Sequence, residues 1–155
     1  MRRTAVVLVA ALALGVMLIG CSKEPKPSKP GAYLVMNERL TALPVFLVDS
    51  DLSSEGFTSY YFTEEPKAQV KPSDYYFILF GEIKPVGLRA FQKKNGRYEL
   101  DSSKNLPGDS LEISLMKGET KMYKCRMSKS LPLGTYVIDM QKGQETVSVA
   151  FRLAF

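Results

Sequence analysis

Apolar and polar residues alternate along most of the chain. Val147, Val149, Phe151, Leu153 and Phe155 share one face, with Ser148, Ala150, Arg152 and Ala154 between them. Tyr136, Ile138 and Met140 alternate the same way just upstream. A period of two places alternate side chains on opposite faces of a strand. The break at Gln141-Lys142-Gly143-Gln144 predicts a hairpin turn, with a glycine free to take positive φ. Asn95-Gly96, between Leu88–Lys93 and Arg97–Leu100, predicts a second. Further strands are expected at Tyr33–Met36, Val45–Val48, Thr58–Phe62, Tyr75–Ile83, Leu111–Met116 and Lys121–Met127. Pro66, Pro72, Pro107 and Pro132 fall between them, outside strand interiors. No amphipathic stretch of helical period and useful length follows the first 21 residues. Eight to ten short strands predict an all-β sandwich or small barrel of residues 32–155.

The apolar run from Ala5 to Ile19 breaks this pattern and follows two cations, Arg2 and Arg3. It is about 15 residues, or about 22 Å as a helix, whereas a bilayer core asks for about 20 residues. That length fits the apolar segment of a secretory signal. The run ends at Leu18-Ile19-Gly20-Cys21. This tetrad resembles the lipobox of bacterial lipoproteins: an aliphatic residue, a tolerant position, a small residue, then cysteine. The resemblance covers residues 1–21 and implies cleavage after Gly20 and a diacylglyceryl group on the Cys21 sulfur. Leu18, Ile19 and Gly20 would be read by the signal peptidase. Thr4-Ala5-Val6-Val7 after the paired arginines lacks the rest of a twin-arginine signal, so the general secretory route is expected. Ser22, where aspartate would favour inner-membrane retention in such lipoproteins, implies the outer membrane in a Gram-negative cell. Multiple acyl chains make release slow, so the resemblance implies an anchored, not a spanning, protein.

Residues 21–31 then read as a tether. Ser22–Gly31 holds three prolines, Pro25, Pro27 and Pro30, and no large apolar side chain. Such a segment cannot fold alone, and as extended chain it would reach about 30 Å. Lys23, Lys26 and Lys29 would keep it solvated, or draw it to anionic head groups.

Composition narrows the function classes. The chain has 155 residues and a formal charge of +5, which falls to +3 without Arg2 and Arg3. That excess, without an interleaved basic and aromatic stripe, predicts no nucleic-acid partner. The absence of histidine excludes a Ser-His-Asp triad and removes the commonest metal ligand. Two cysteines, one of them implied to be lipidated, make neither a disulfide scaffold nor a four-ligand zinc site. Asp49-Ser50-Asp51 begins like a calcium loop, but Ser54 and Tyr60 stand where glycine and glutamate belong, so a polar loop is expected. Glu64 and Glu65 are neighbours and would point to opposite faces of a strand; with Asp74 they read as solvated turn charges. A Ser-Lys pair remains formally open, with Ser110, Lys117, Ser128 and Lys129 supplying the residue types. Cys125 alternates with Tyr123 and Met127, which places it inside as an inert apolar residue. No catalytic residue, metal or cofactor is assigned, apart from the covalent lipid on Cys21.

Leu131-Pro132-Leu133-Gly134-Thr135-Tyr136 resembles the tyrosine corner of Greek-key proteins, in which a tyrosine hydroxyl returns to backbone just upstream. Leu111–Met140 also resembles uncharacterised bacterial envelope proteins with this turn late in an immunoglobulin-like domain. The resemblance implies an immunoglobulin-like Greek-key β-sandwich, with Gly134 and Tyr136 as structural residues. Two aromatic triplets, Tyr60-Tyr61-Phe62 and Tyr75-Tyr76-Phe77, must each turn a ring away from its neighbours. Tyr60, Tyr61, Tyr75 and Tyr76 are therefore the candidate interface. The expected function is a non-catalytic binding or accessory module, membrane-anchored in the cell envelope, with an envelope protein as partner. The alternative is a carrier holding a lipid or small apolar ligand in a barrel-like cavity.

Overall fold

The computed structural model describes residues 24–72, 75–104, 106, 110–127 and 131–155. The signal segment, the Leu18–Cys21 boundary, Ser22, Lys23, Asp74, Pro107, Ser128 and Lys129 lie outside the described residues. Twelve strands form two sheets, and no helix occurs among the described residues. The five-stranded sheet contains β1 (Gly31–Met36), β2 (Arg39–Leu43), β6 (Tyr75–Phe80), β9 (Leu111–Leu115) and β10 (Met122–Met127), in the order β2-β1-β6-β10-β9. The seven-stranded sheet contains β3 (Asp49–Leu52), β4 (Thr58–Phe62), β5 (Ala68–Val70), β7 (Lys84–Lys94), β8 (Arg97–Leu100), β11 (Gly134–Lys142) and β12 (Glu145–Leu153). Its order is β3-β4-β8-β7-β11-β12-β5. All pairings are antiparallel except β12 with β5.

The predicted alternation decides what lies between the sheets. Ala32, Leu34, Phe77, Leu79 and Cys125 meet Tyr136, Ile138, Met140, Val149 and Phe151 in one buried core. The rings of Phe77 and Phe151 lie 4.8 Å apart, and those of Tyr136 and Phe151 5.6 Å apart. The two sheets thus pack face to face, as in a β-sandwich.

The seven-stranded sheet also buries its other face. Phe62, Phe91, Tyr98, Val137 and Ala150 form a second core there, with Phe46 and Val48 packed on it. The backbone of Phe46 exchanges two hydrogen bonds with Ser148 of β12. Asp49, three residues on, opens β3, five strand steps away across that sheet. Three residues span at most about 11 Å, whereas five steps across a flat sheet would be about 24 Å. The sheet therefore curls back on itself, and Phe46 and Phe62 meet at 4.9 Å inside the curl.

Several elements differ from the sequence expectation. Val45–Val48 makes only the Phe46–Ser148 bridge, turning Phe46 and Val48 inward and leaving Val45 and Leu47 exposed. The stretch expected to be a polar loop at Asp49–Gly56 contains β3, an edge strand whose residues are all exposed. The strand at Tyr75 stops at Phe80, because Gly81 takes φ +109°. The strand at Leu88 begins earlier, at Lys84; the register passes from Asp139↔Gly87 to Met140↔Pro85, so Val86 is the extra residue of a bulge that admits the proline.

The described part of the segment expected to stand off as a tether lies along the domain. Glu24–Pro30 runs over the outer face of the five-stranded sheet, and Pro27 is buried there. Beneath and beside it Val35, Ile78, Met116 and Met122 form a third apolar cluster, flanked by Tyr33, Leu40, Tyr76 and Phe80. Lys26 Nζ reaches Glu119 Oε1 at 2.6 Å and the Lys117 carbonyl at 3.3 Å. Lys124 pairs with Glu24, and the Tyr33 hydroxyl donates to the Lys29 carbonyl at 2.8 Å. A Cβ on Gly81 would lie 2.9 Å from Pro30 Cβ, so the close passage of this strap needs glycine there as well as its φ does.

Candidate functional site

The four candidate tyrosines do not form one surface. Tyr75 points between the sheets, against Phe77 and Phe151, and its burial pushes the phenol up to about 12. Tyr76 faces the opposite way, beneath Lys124 at 4.3 Å and near Arg126 at 5.6 Å. Partial burial, then the Glu24 carboxylate, raise its pKa. Tyr60 lies on the side of the seven-stranded sheet that faces into the curl, with Arg89 5.3 Å from its ring centre. Tyr61 is on the other side, where Arg97 stands 4.3 Å over it and the Asp51 carboxylate raises its pKa.

Cys125, Glu65 and Asp139 are engaged in structure, whereas the buried Ser110 hydroxyl has no hydrogen-bond partner among the described residues. Cys125 is fully buried, and loss of water pushes its thiol up to about 12, so it is not a nucleophile in the folded chain. Glu65 is held by three groups: Lys93, the Tyr98 hydroxyl and, at 3.1 Å, Arg152. The hydrogen bonds from Lys93 and Tyr98 pull its carboxyl down to about 2. Glu64 lies in the same loop, outside this network, with an oxygen 3.3 Å from the Thr63 amide. Asp139 accepts two hydrogen bonds from Arg89, at 2.6 and 2.8 Å, and one from Ser148 at 2.7 Å. A bidentate guanidinium and a hydroxyl compensate a carboxylate that is almost buried. Neither network was visible in the sequence, since their members come from positions 9 to 87 residues apart. No group of acidic or cysteine side chains suited to hold a metal occurs among the described residues.

Tyr136 donates its hydroxyl to the Pro132 carbonyl at 2.6 Å. This closes the corner where the chain leaves β10 in one sheet and enters β11 in the other. Lys104 approaches the corner, giving a hydrogen bond to the Leu133 carbonyl at 3.2 Å and lying 5.6 Å from the Tyr136 ring centre.

The most exposed apolar feature on a turn is the tip of the β3–β4 hairpin, which sequence reading missed. Ser53 and Gly56 close the turn, with Ser53 N donating to the Phe57 carbonyl at 2.8 Å and Ser53 Oγ accepting from Phe57 N at 3.0 Å. Leu52 and Phe57 flank it and are 74% and 71% exposed. Tyr60 shares the Leu52 face of the hairpin, two residues beyond Leu52's partner Thr58. The available signal was Leu52 and Phe57 themselves, two large apolar residues bracketing a Ser-Ser-Glu-Gly turn.

No protein-family model, curated protein or solved structure matches the chain.

Proposed function

We propose that the chain is exported and lipidated at Cys21, and works as a non-catalytic binding module anchored in the cell envelope. In a cell with two membranes, Ser22 favours the outer one. Anchoring confines the domain near the bilayer and raises its effective concentration toward a partner there. The observation that carries the binding reading is the β3–β4 hairpin, which holds Leu52 and Phe57 out in solvent. Scattered single apolar residues are ordinary on a surface, but two bracketing one turn, with Tyr60 behind Leu52 on the same face, suit insertion into a complementary protein pocket. Both interiors of the seven-stranded sheet are filled by packed aromatic rings, which supports this reading over a carrier with an open cavity. The engagement of Glu65, Asp139 and Cys125 in structure supports a non-catalytic role. An immunoglobulin-like Greek-key relationship is supported by the Tyr136–Pro132 corner between the two sheets.

The test is in-cell photo-crosslinking with a reactive residue at position 57, and with one at exposed position 145 as control. Position 57 is expected to capture one envelope protein, and Leu52→Asp is expected to abolish that capture without altering the fold. Equal capture at both positions, or capture indifferent to Leu52→Asp, would refute the hairpin as the binding element.

A further inference from the structure

From where the strap begins, we infer that the outer face of the five-stranded sheet is the surface this protein lays against the bilayer. The inference rests on lipidation at Cys21 and adds the orientation of the domain. Glu24 is fixed to that face by Lys124, whose ammonium lies over Tyr76. Two residues further along, Lys26 is fixed to the β9–β10 turn through Lys117 and Glu119. The strap then crosses toward Gly81 and enters β1. Because the strap is bound along its length, it gives no standoff. Only Ser22 and Lys23 separate Glu24 from the lipidated cysteine, a length of chain that can reach at most about 11 Å. A diacylglyceryl group on Cys21 keeps that sulfur at the head-group level of the membrane.

The chemistry of the face agrees. Three carboxylates at this side are each paired with a lysine: Glu119 with Lys26, Glu24 with Lys124, and Glu82 with Lys121. Arg126 stands opposite Glu112 of β9, and Glu38 lies near Tyr76; Lys29 and Lys117 are exposed and leave the face with a small positive excess among the described residues. Each cation near an anionic bilayer surface contributes about 1 kcal/mol or less, which orients an anchored domain without having to hold it there. The far side of the seven-stranded sheet, where Leu47 is exposed beyond the inward-facing Phe46 and Val48, is then turned away from the bilayer.

The experiment uses the full lipidated chain in vesicles of phosphatidylethanolamine and phosphatidylglycerol carrying a quencher on the head groups. A fluorophore is attached to Arg126→Cys in one sample and to Leu47→Cys in the other; native Cys125 is buried and does not compete. The orientation predicts loss of fluorescence at position 126 and little loss at 47. A flexible Gly/Ser insertion between Lys23 and Glu24 is expected to remove that difference while the protein still pellets with the vesicles. Equal loss at both positions in pelleted protein, greater loss at 47, or no effect of the insertion would overturn the orientation. A chain that does not pellet, and whose Cys21 carries no lipid by mass, would overturn the anchor itself.

Discussion

Lys26 Nζ stands 2.6 Å from Glu119 Oε1, joining residues 93 positions apart. The pair ties the proline-rich strap to the far turn of the five-stranded sheet. Both side chains are partly solvated, so the ion pair itself contributes about 0–1 kcal/mol. The greater part of the strap's hold is apolar, through the burial of Pro27. Pro27→Ser is therefore expected to destabilise the domain by about 1–2 kcal/mol, and Lys26→Ala by less. Urea titrations of the two variants check the order; a larger loss from Lys26→Ala would contradict it.

Tyr136 is fully buried and its hydroxyl meets the Pro132 carbonyl. Tyr136→Phe keeps the ring packing and removes one hydrogen bond, so it should cost about 1 kcal/mol. The midpoint of chemical unfolding measures this, and an unchanged midpoint would show that the corner bond adds nothing.

Glu65 gives the stability a pH dependence of known sign. Its carboxyl titrates near 2 in the folded chain, below its ordinary value of 4.5. A depressed folded value means that the contribution is complete above about 4.5 and fades as pH falls toward 2. Glu65→Gln should flatten the melting-temperature profile in that window and leave its slope unchanged near neutrality. A wild-type slope in Glu65→Gln over the same window would assign the acid limb to other groups.

Cys125 should resist thiol reagents. Its burial and raised pKa predict no labelling in the native protein at mildly alkaline pH and complete labelling after denaturation. Rapid native labelling with an intact circular dichroism spectrum would place the thiol at the surface.

The parts of this architecture visible in the sequence are those whose side chains alternate strictly. The alternation of Tyr136–Met140 and Val147–Phe155 marks β11 and β12, and Asn95-Gly96 marks the β7–β8 turn, where Asn95 and Gly96 take φ of 50° and 83°. β2 escaped because its turn, Asn37-Glu38, has positive φ at both positions without a glycine. β3 escaped because an exposed edge strand carries no apolar period. The strap escaped because proline-rich, weakly apolar composition is also what a spacer looks like. Yet Tyr75–Phe80 reads Tyr-Tyr-Phe-Ile-Leu-Phe, apolar on both faces, and such a strand needs cover on both. The inner face found the other sheet; the outer face found the strap. The candidate interface fared differently, since a tyrosine triplet shows that rings must diverge but not which side a partner strand will cover.

The mass of the amino-terminal peptide from membrane-extracted protein tests the anchor itself. Lipid anchoring predicts a chain that begins at Cys21 and carries a diacylglyceryl group on its sulfur. A chain that retains Met1, or begins elsewhere with Cys21 unmodified, would contradict it.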